Sequence, residues 1–235
     1  MTEQGRMIPG IEQHSDGDKP ARAISIEFAR TLYDDSDPVH DFDHVLRVLA
    51  LARRIGQAEG ADMAVVETAV LLHDIQRAGE DHLAHVHNAE TADHALLAAE
   101  QAREILRGLD PPPAPAFIEA VAHAIAAHRF RNAIAPQTLE AKVVFDADKL
   151  DAIGAIGVAR AYAYGGMTGQ KLWGEVPPGY PGGGAEHTPR HEFSYKLSRI
   201  VERMQTETGR AIARERHAFM AAYFARLERE VRGEE

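Results

Sequence analysis

Residues 43–76, DHVLRVLALARRIGQAEGADMAVVETAVLLHDIQ, carry two consecutive apolar patterns with the spacing of α-helices. In the first pattern the apolar residues that share one helix face are Val45, Leu46, Val48, Leu49 and Ile55. Gly60 is a residue type that ends helices, and Asp62 is a typical N-cap for the helix that follows. The stretch therefore predicts a helical hairpin.

Three polar residues lie at one end of this hairpin. His44 is near the start of the first helix, and the adjacent pair His73 and Asp74 follows the apolar run at the end of the second. In an antiparallel hairpin the first turn of one helix lies beside the last turn of the next, and at a rise of about 1.5 Å per residue the two arms are similar in length. We therefore expect the three side chains to meet at one rim.

A buried metal ion would explain why these polar residues interrupt apolar patterns. A buried carboxylate such as Asp74 is costly unless a metal or a cationic partner compensates its charge. Asp148 lies in another apolar helical pattern and provides a fourth candidate. Two imidazoles and two carboxylates suit divalent Mn, Fe, Co, Ni or Zn, and the two carboxylates also admit Mg.

The order of His44, then His73 and Asp74, then Asp148 resembles the HD superfamily of metal-dependent phosphohydrolases, whose metal ligands follow the order H…HD…D. Further blocks resemble one bacterial branch of stand-alone HD proteins, namely HDFDHVLRV at 40–48, AHRF at 127–130, DADKLDAIGAIGVAR at 146–160, YKL at 195–197 and residues 206–220. The resemblance covers roughly residues 25 to 230.

The resemblance implies that one divalent metal is held by His44, His73, Asp74 and Asp148, with a second metal left open. Asp146 is the alternative to Asp148, because it faces a different direction on a regular helix but could replace it if the helix breaks there. Taken singly, such a His is usually a hydrogen-bonded core residue, and such an Asp is usually a helix cap.

Other polar groups are candidates for catalysis and substrate binding. We expect Lys149, Arg129 and Lys196 near the metal, where they would bind phosphate oxygens, although each alone could equally be an exposed surface cation. His40 lies four residues before His44 and could share its face as a proton donor, or it could simply be a helix-entry residue.

Extra histidines matter because some HD proteins use them to hold a second metal. The candidates are His94, His123 and His128, of which His128 is the best placed because Arg129 and Phe130 follow it. We interpret His128 as a substrate contact or a loop anchor, with metal ligation as the alternative.

The rest of the chain contains helical patterns and one long irregular stretch. The patterns predict helices from a cap at Asn88 to Arg107, and at 117–127, 138–145, 191–206 and 210–231. Residues 165–189 are rich in Gly and Pro, as lids, binding loops or disordered segments often are. With no convincing strand pattern, the predicted fold is all-α, a helical bundle with two C-terminal helices over residues 23–235.

Composition limits the class of function. The chain has 235 residues, 45% of them hydrophobic, which is enough for a sizeable core. Its net charge of -10 argues against sequence-independent binding of a nucleic acid duplex or an anionic membrane, but allows a small phosphorylated substrate.

Residues 1–22 read as a flexible segment without an apolar signal region, so we expect a cytoplasmic protein. A homo-oligomer is left open.

The predicted reaction is hydrolysis of a phosphate ester or phosphoanhydride by a metal-activated water, and the resemblance suggests that the substrate is nucleotide-like. Asp74 would ligate the metal and orient the water, while nearby cations such as Lys149 offset charge on the phosphoryl oxygens. One alternative is an HD-fold di-iron oxygenase, which needs about six ligands and would recruit His94 and His128. Another is a nucleotide-binding regulator with little turnover.

Overall fold

The computed structural model describes residues 23–33, 42–75, 93–129, 133–184 and 186–234, and these ranges contain helices and no β-strand. In chain order the helices are α1 (Ile26–Arg30), α2 (Phe42–Glu59), α3 (Met63–Leu72), α4 (His94–Arg107), α5 (Pro115–Ala126), α6 (Leu139–Asp151), α7 (Gly154–Met167), α8 (Pro189–Tyr195) and α9 (Glu207–Arg232). The predicted all-α class is confirmed. The predicted flexible segment, residues 1–22, lies outside the described residues.

The predicted hairpin is formed by α2 and α3. Gly60, with a φ of +77°, reverses the chain after α2 in a conformation that other residues rarely adopt. The Asp62 side chain then caps α3 by accepting a hydrogen bond from the Ala64 N–H at 2.9 Å. The two helices pack against each other, so the first turn of α2 lies at the same end of the molecule as the residues after α3.

A common core holds the helices that surround this end. Helix α2 packs on α3 and α6, while α5 packs on α3, α4 and α6. The largest side chains sealed between them include Phe42, Leu49, Ile55, Leu71, Leu72, Leu106, Ile125 and Leu150. Helices α7 and α9 pack together beside α6 and α8. Nowhere in the described ranges does a helix combine the length and apolar character that a bilayer crossing requires.

Several predicted helix boundaries differ from the observed ones. Helix α4 begins at His94 with Asp93 as its N-cap, and the predicted cap Asn88 lies outside the described residues. Helix α7 was not predicted from the sequence, and it forms although its four glycines lower helix propensity. The irregular stretch therefore starts after Met167 rather than at Gly165.

The prediction of one helix over residues 191–206 is wrong. Helix α8 ends at Tyr195, two 3-10 turns (Leu197–Arg199 and Val201–Arg203) follow, and Met204 is extended. The extended backbone delivers two N–H groups to the buried Asp146 carboxylate, Gln205 N at 2.8 Å and Thr206 N at 2.8 Å. A buried carboxylate gains more from these donors than the chain loses by interrupting a helix, because such an acceptor is costly when it lacks hydrogen bonds.

The hydrogen bonds between Asp146 and residues 205–206 should require a glycine at position 209, in the first turn of α9. A Cβ there would collide with the Asp146 carboxylate and lie 2.7 Å from Thr206 Oγ1. Gly209→Ala should therefore lower the free energy of unfolding by about 1–3 kcal/mol, as overpacking does. The control is Gly166→Ala in α7, where a Cβ meets nothing within 4 Å, and which should be neutral or stabilising by up to about 1 kcal/mol. Urea unfolding measures both, and equal effects would contradict this account.

Candidate metal centre

Six buried polar side chains converge where helices begin or end. They are His44 in the first turn of α2, His73 and Asp74 directly after α3, His94 at the start of α4, His128 after α5, and Asp148 near the end of α6. Each has at most 9% of its surface exposed. The predicted meeting of His44 with His73 and Asp74 at one rim of the hairpin is therefore observed.

Asp74 lies at the centre of the cluster, with different imidazoles facing its two oxygens. Its Oδ2 is 3.8 Å from His44 Nε2 and 3.6 Å from His73 Nε2. Its Oδ1 is 3.8 Å from His94 Nε2 and 3.6 Å from His128 Nε2. Each triplet of residues has ligand atoms within 4.8 Å of one another, so each could hold a metal ion. Asp74 is the member that both triplets share.

The spacing of these atoms fits ligands around an ion better than it fits hydrogen bonds. Distances of 3.6 to 3.8 Å exceed the usual hydrogen-bond range. Neighbouring ligands around an ion at about 2.1 Å lie about 3.0–3.5 Å apart, so a small inward movement would complete the coordination. His73 Nε2 is buried and has no hydrogen-bond partner among the described residues. The donor set therefore fits a divalent metal.

Backbone carbonyl groups orient two of the imidazoles. His73 Nδ1 donates to Val70 O at 2.8 Å, and His128 Nδ1 donates to Ile125 O at 2.6 Å. A carbonyl oxygen only accepts, so the proton lies on Nδ1 and the Nε2 lone pair is directed at Asp74. This tautomer is the one that binds a metal through Nε2.

The protonation states also suit a cation. Burial lowers the pKa of His73 to about 4, so its ring is neutral at neutral pH. Burial opposes ionisation of Asp148, but the neighbouring Lys149 ammonium and His44 outweigh it and hold the pKa of Asp148 well below its usual range. For His44, burial opposes protonation, yet its bonds to Asp148 and Asp151 raise the ring's pKa.

Asp148, rather than Asp146, faces the cluster. Asp148 Oδ1 is 3.4 Å from His44 Nε2, and Lys149 Nζ donates to Asp148 Oδ2 at 2.6 Å. Asp146 instead accepts three hydrogen bonds from Gln205 and Thr206. The two carboxylates separate because α6 continues without a break through both, which leaves them on different faces.

The remaining predicted site residues differ in their position relative to the cluster. Arg129 follows His128 and donates to Asp93, the N-cap of the helix that carries His94, at 3.2 Å. Lys196 is half exposed and donates to Glu192 at 2.9 Å; in the described part of the chain its contacts do not reach the cluster. His40 lies outside the described residues.

The sequence analysis did not identify the residues on the Nδ1 side of the His44 ring. The Asp151 carboxylate accepts from His44 Nδ1 at 2.8 Å and is itself bound by Arg47 and Arg160. A spacing signal existed, since Arg47 lies three residues after His44 and Asp151 three residues after Asp148, which puts each on the same helix face as a predicted ligand.

The fold and the site together define the class of this protein. It is an all-helical protein with a candidate metal site, in which buried histidines surround a shared aspartate. The HD domain family model matches residues 41–153. The protein YpgQ of Bacillus subtilis is 32% identical over 208 residues, which cover 88% of this chain and 91% of YpgQ. The chain therefore belongs to the HD superfamily.

Solved structures agree with this assignment. The crystal structure of B. subtilis YpgQ in complex with ADP matches with a TM-score of 0.66 and 33% identity, and the match covers 90% of this chain and 100% of that one. An HD-superfamily hydrolase from Bacillus thuringiensis matches with a TM-score of 0.64 and 26% identity, over 88% of this chain and 94% of that one.

Proposed function

We propose that the protein is a metal-dependent phosphohydrolase that cleaves a phosphate ester or phosphoanhydride of a nucleotide-like substrate. The observation that supports this best is the Asp74 carboxylate, which has two imidazole nitrogens facing each of its oxygens. The HD family match and the ADP complex of YpgQ support a nucleotide-like ligand for this chain as well.

Two ions could share the cluster. One divalent ion would be held by His44, His73, Asp74 and Asp148, and a second by Asp74, His94 and His128. Nitrogen and oxygen ligands without sulfur suit Mn, Fe, Co, Ni or Zn, and the carboxylates also admit Mg. When bound, such a metal supplies a Lewis acid for a phosphoryl oxygen and lowers the pKa of a water molecule.

The protein side chains supply positioning and charge. The Asp74 carboxylate would accept a hydrogen bond from the attacking water and so orient it. The Lys149 ammonium lies beside the cluster at Asp148, where it would offset negative charge on the phosphoryl oxygens. Arg129 would contact the substrate, and His128 would use its Nε2 either for the second metal or, where it holds none, for the substrate. The roles of Lys196 and His40 stay predictions from the sequence.

An HD-fold di-iron oxygenase is the second candidate, because six residues meet in the order that this alternative requires. They include His94 and His128, which a site for one metal does not need. The ADP complex of YpgQ weighs toward the phosphohydrolase. A nucleotide-binding regulator would use the same ligands with little turnover.

Elemental analysis of the purified protein, followed by product assays on the same sample, tests these candidates. Phosphate and pyrophosphate release would be measured from a panel of nucleotides with Mn, Mg, Co or Ni added. Metal-dependent release is the expected result. Two irons per chain without release would favour the oxygenase. Metal-dependent nucleotide binding without release would favour the regulator.

A further inference from the structure

His44 is contacted on both ring nitrogens by carboxylates of a single helix, α6. Asp148 Oδ1 lies 3.4 Å from Nε2, on the side of the metal cluster. Asp151 Oδ2 lies 2.8 Å from Nδ1, on the opposite side of the ring, and Asp151 is only 1% exposed. The proposed metal ligands do not include Asp151.

Arg47 and Arg160 hold the Asp151 carboxylate in place. Arg47 donates to both of its oxygens, from Nε to Oδ1 at 2.9 Å and from Nη2 to Oδ2 at 3.1 Å. Arg160 donates from Nη1 to Oδ2 at 2.9 Å and to the Asp151 backbone carbonyl at 3.3 Å. Helices α2, α6 and α7 therefore converge on a carboxylate whose orientation is fixed from several sides.

The acceptor for Nδ1 differs between His44 and two other histidines of the cluster. His73 and His128 each donate Nδ1–H to the carbonyl three residues earlier, at Val70 and Ile125. His44 is the third residue of α2, and the residue three before it lies outside the described part of the chain. Its Nδ1 proton is accepted by the Asp151 carboxylate, which is a stronger acceptor than a carbonyl oxygen.

We propose that Asp151 is a positioning residue that acts on the metal centre through His44. By accepting the Nδ1 proton it keeps the Nε2 lone pair directed at Asp74 and Asp148, and it increases the electron density on the ring. Arg47 and Arg160 keep Asp151 in that orientation. The proposal rests on the proposed function to the extent that His44 is a metal ligand.

The test is the affinity for Mn²⁺, measured by calorimetry on the full chain without substrate. Asp151→Asn keeps the size of the side chain and removes its charge, and it should weaken binding about 10- to 100-fold, as loss of such an outer partner typically does. In the Zn-loaded protein, NMR should also show faster solvent exchange of the His44 Nδ1 proton.

Glu67→Gln is the matched control. Glu67 accepts two hydrogen bonds from Arg53, at 2.9 and 2.8 Å, and so joins α2 to α3 about two helical turns before Asp74. Its Mn²⁺ affinity should equal that of wild type. If Asp151→Asn binds as tightly as wild type, or if both variants lose affinity equally, the proposal is wrong while the proposed function stands. If wild type binds no Mn²⁺, the proposed function fails first.

Arg160→Gln provides a second variant in case Asp151→Asn does not fold. It removes one of the groups that hold Asp151 but leaves the contact between Asp151 and His44. We expect Arg160→Gln to weaken Mn²⁺ binding by a smaller factor, about 2- to 5-fold. An affinity equal to that of wild type would overturn the proposal in this variant too.

Discussion

Asp74→Ala is expected to abolish metal retention and to reduce metal-dependent hydrolysis by at least about 1000-fold. The effect should be this large because one carboxylate faces four imidazole nitrogens at 3.6 to 3.8 Å and is shared by both candidate sites. Its loss therefore removes a ligand from both sites at once. Elemental analysis after gel filtration, together with product release from the nucleotide panel, measures the two effects.

A second substitution at the same position, Asp74→Asn, should fold normally when no metal is present. A buried carboxylate contributes little net stability in the absence of a cation, so with a chelator present Asp74→Asn should melt at or above the wild-type temperature. The control is Asp43→Asn, which removes an exposed carboxylate one residue before His44 and should keep both metal and activity. Full activity and metal content in Asp74→Ala would show that the site is assigned to the wrong residues.

The hairpin and its rim could be predicted because their signals are local. Gly60 and Asp62 mark a short turn, which places the start of α2 beside the end of α3, and the apolar periodicity fixes which faces of the two helices pack together. The meeting of His44 with Asp74 then follows because the chain from His44 to the turn and the chain from the turn to Asp74 are similar in length. Local signals of this kind are strong because they depend on neighbours within one or two helical turns.

The end of α6 could not be predicted because its polar residues are satisfied by distant ones. The expected helix stopped at Phe145, where Asp146, Asp148 and Asp151 begin to replace apolar residues. In the structure Asp146 is satisfied from the N-terminus of α9 and Asp151 from α2, at separations of 60 and 107 residues. The spacing of Asp148 and Asp151 could place them on one helix face, but it could not identify partners so distant in the sequence.

His128 is the site residue whose role the sequence left most open. Its Nδ1 bond to Ile125 O, at 2.6 Å, fits the loop-anchor interpretation, while its Nε2, 3.6 Å from Asp74 Oδ1, fits metal ligation. The two interpretations are compatible in one side chain, since they use different ring nitrogens. The number of metal ions bound per chain shows whether His128 is both a ligand and a loop anchor, or only a loop anchor.

His128→Gln is therefore expected to reduce the metal content from two ions per chain to one and to lower hydrolysis by about 100-fold. The ion held by His44, His73 and Asp148 should remain, because these ligands lie on the other side of Asp74. Elemental analysis at saturating Mn²⁺ provides the count.

The matched control for this variant is His123→Gln, on the same helix, α5. His123 Nε2 accepts from Gln137 N at 3.2 Å and belongs to neither triplet of candidate ligands, so this variant should keep two ions and nearly full activity. If wild type and His128→Gln each hold a single ion and hydrolyse equally fast, His128 is only an anchor. The second metal site and the di-iron alternative would then both be rejected, because each requires the His128 imidazole as a ligand.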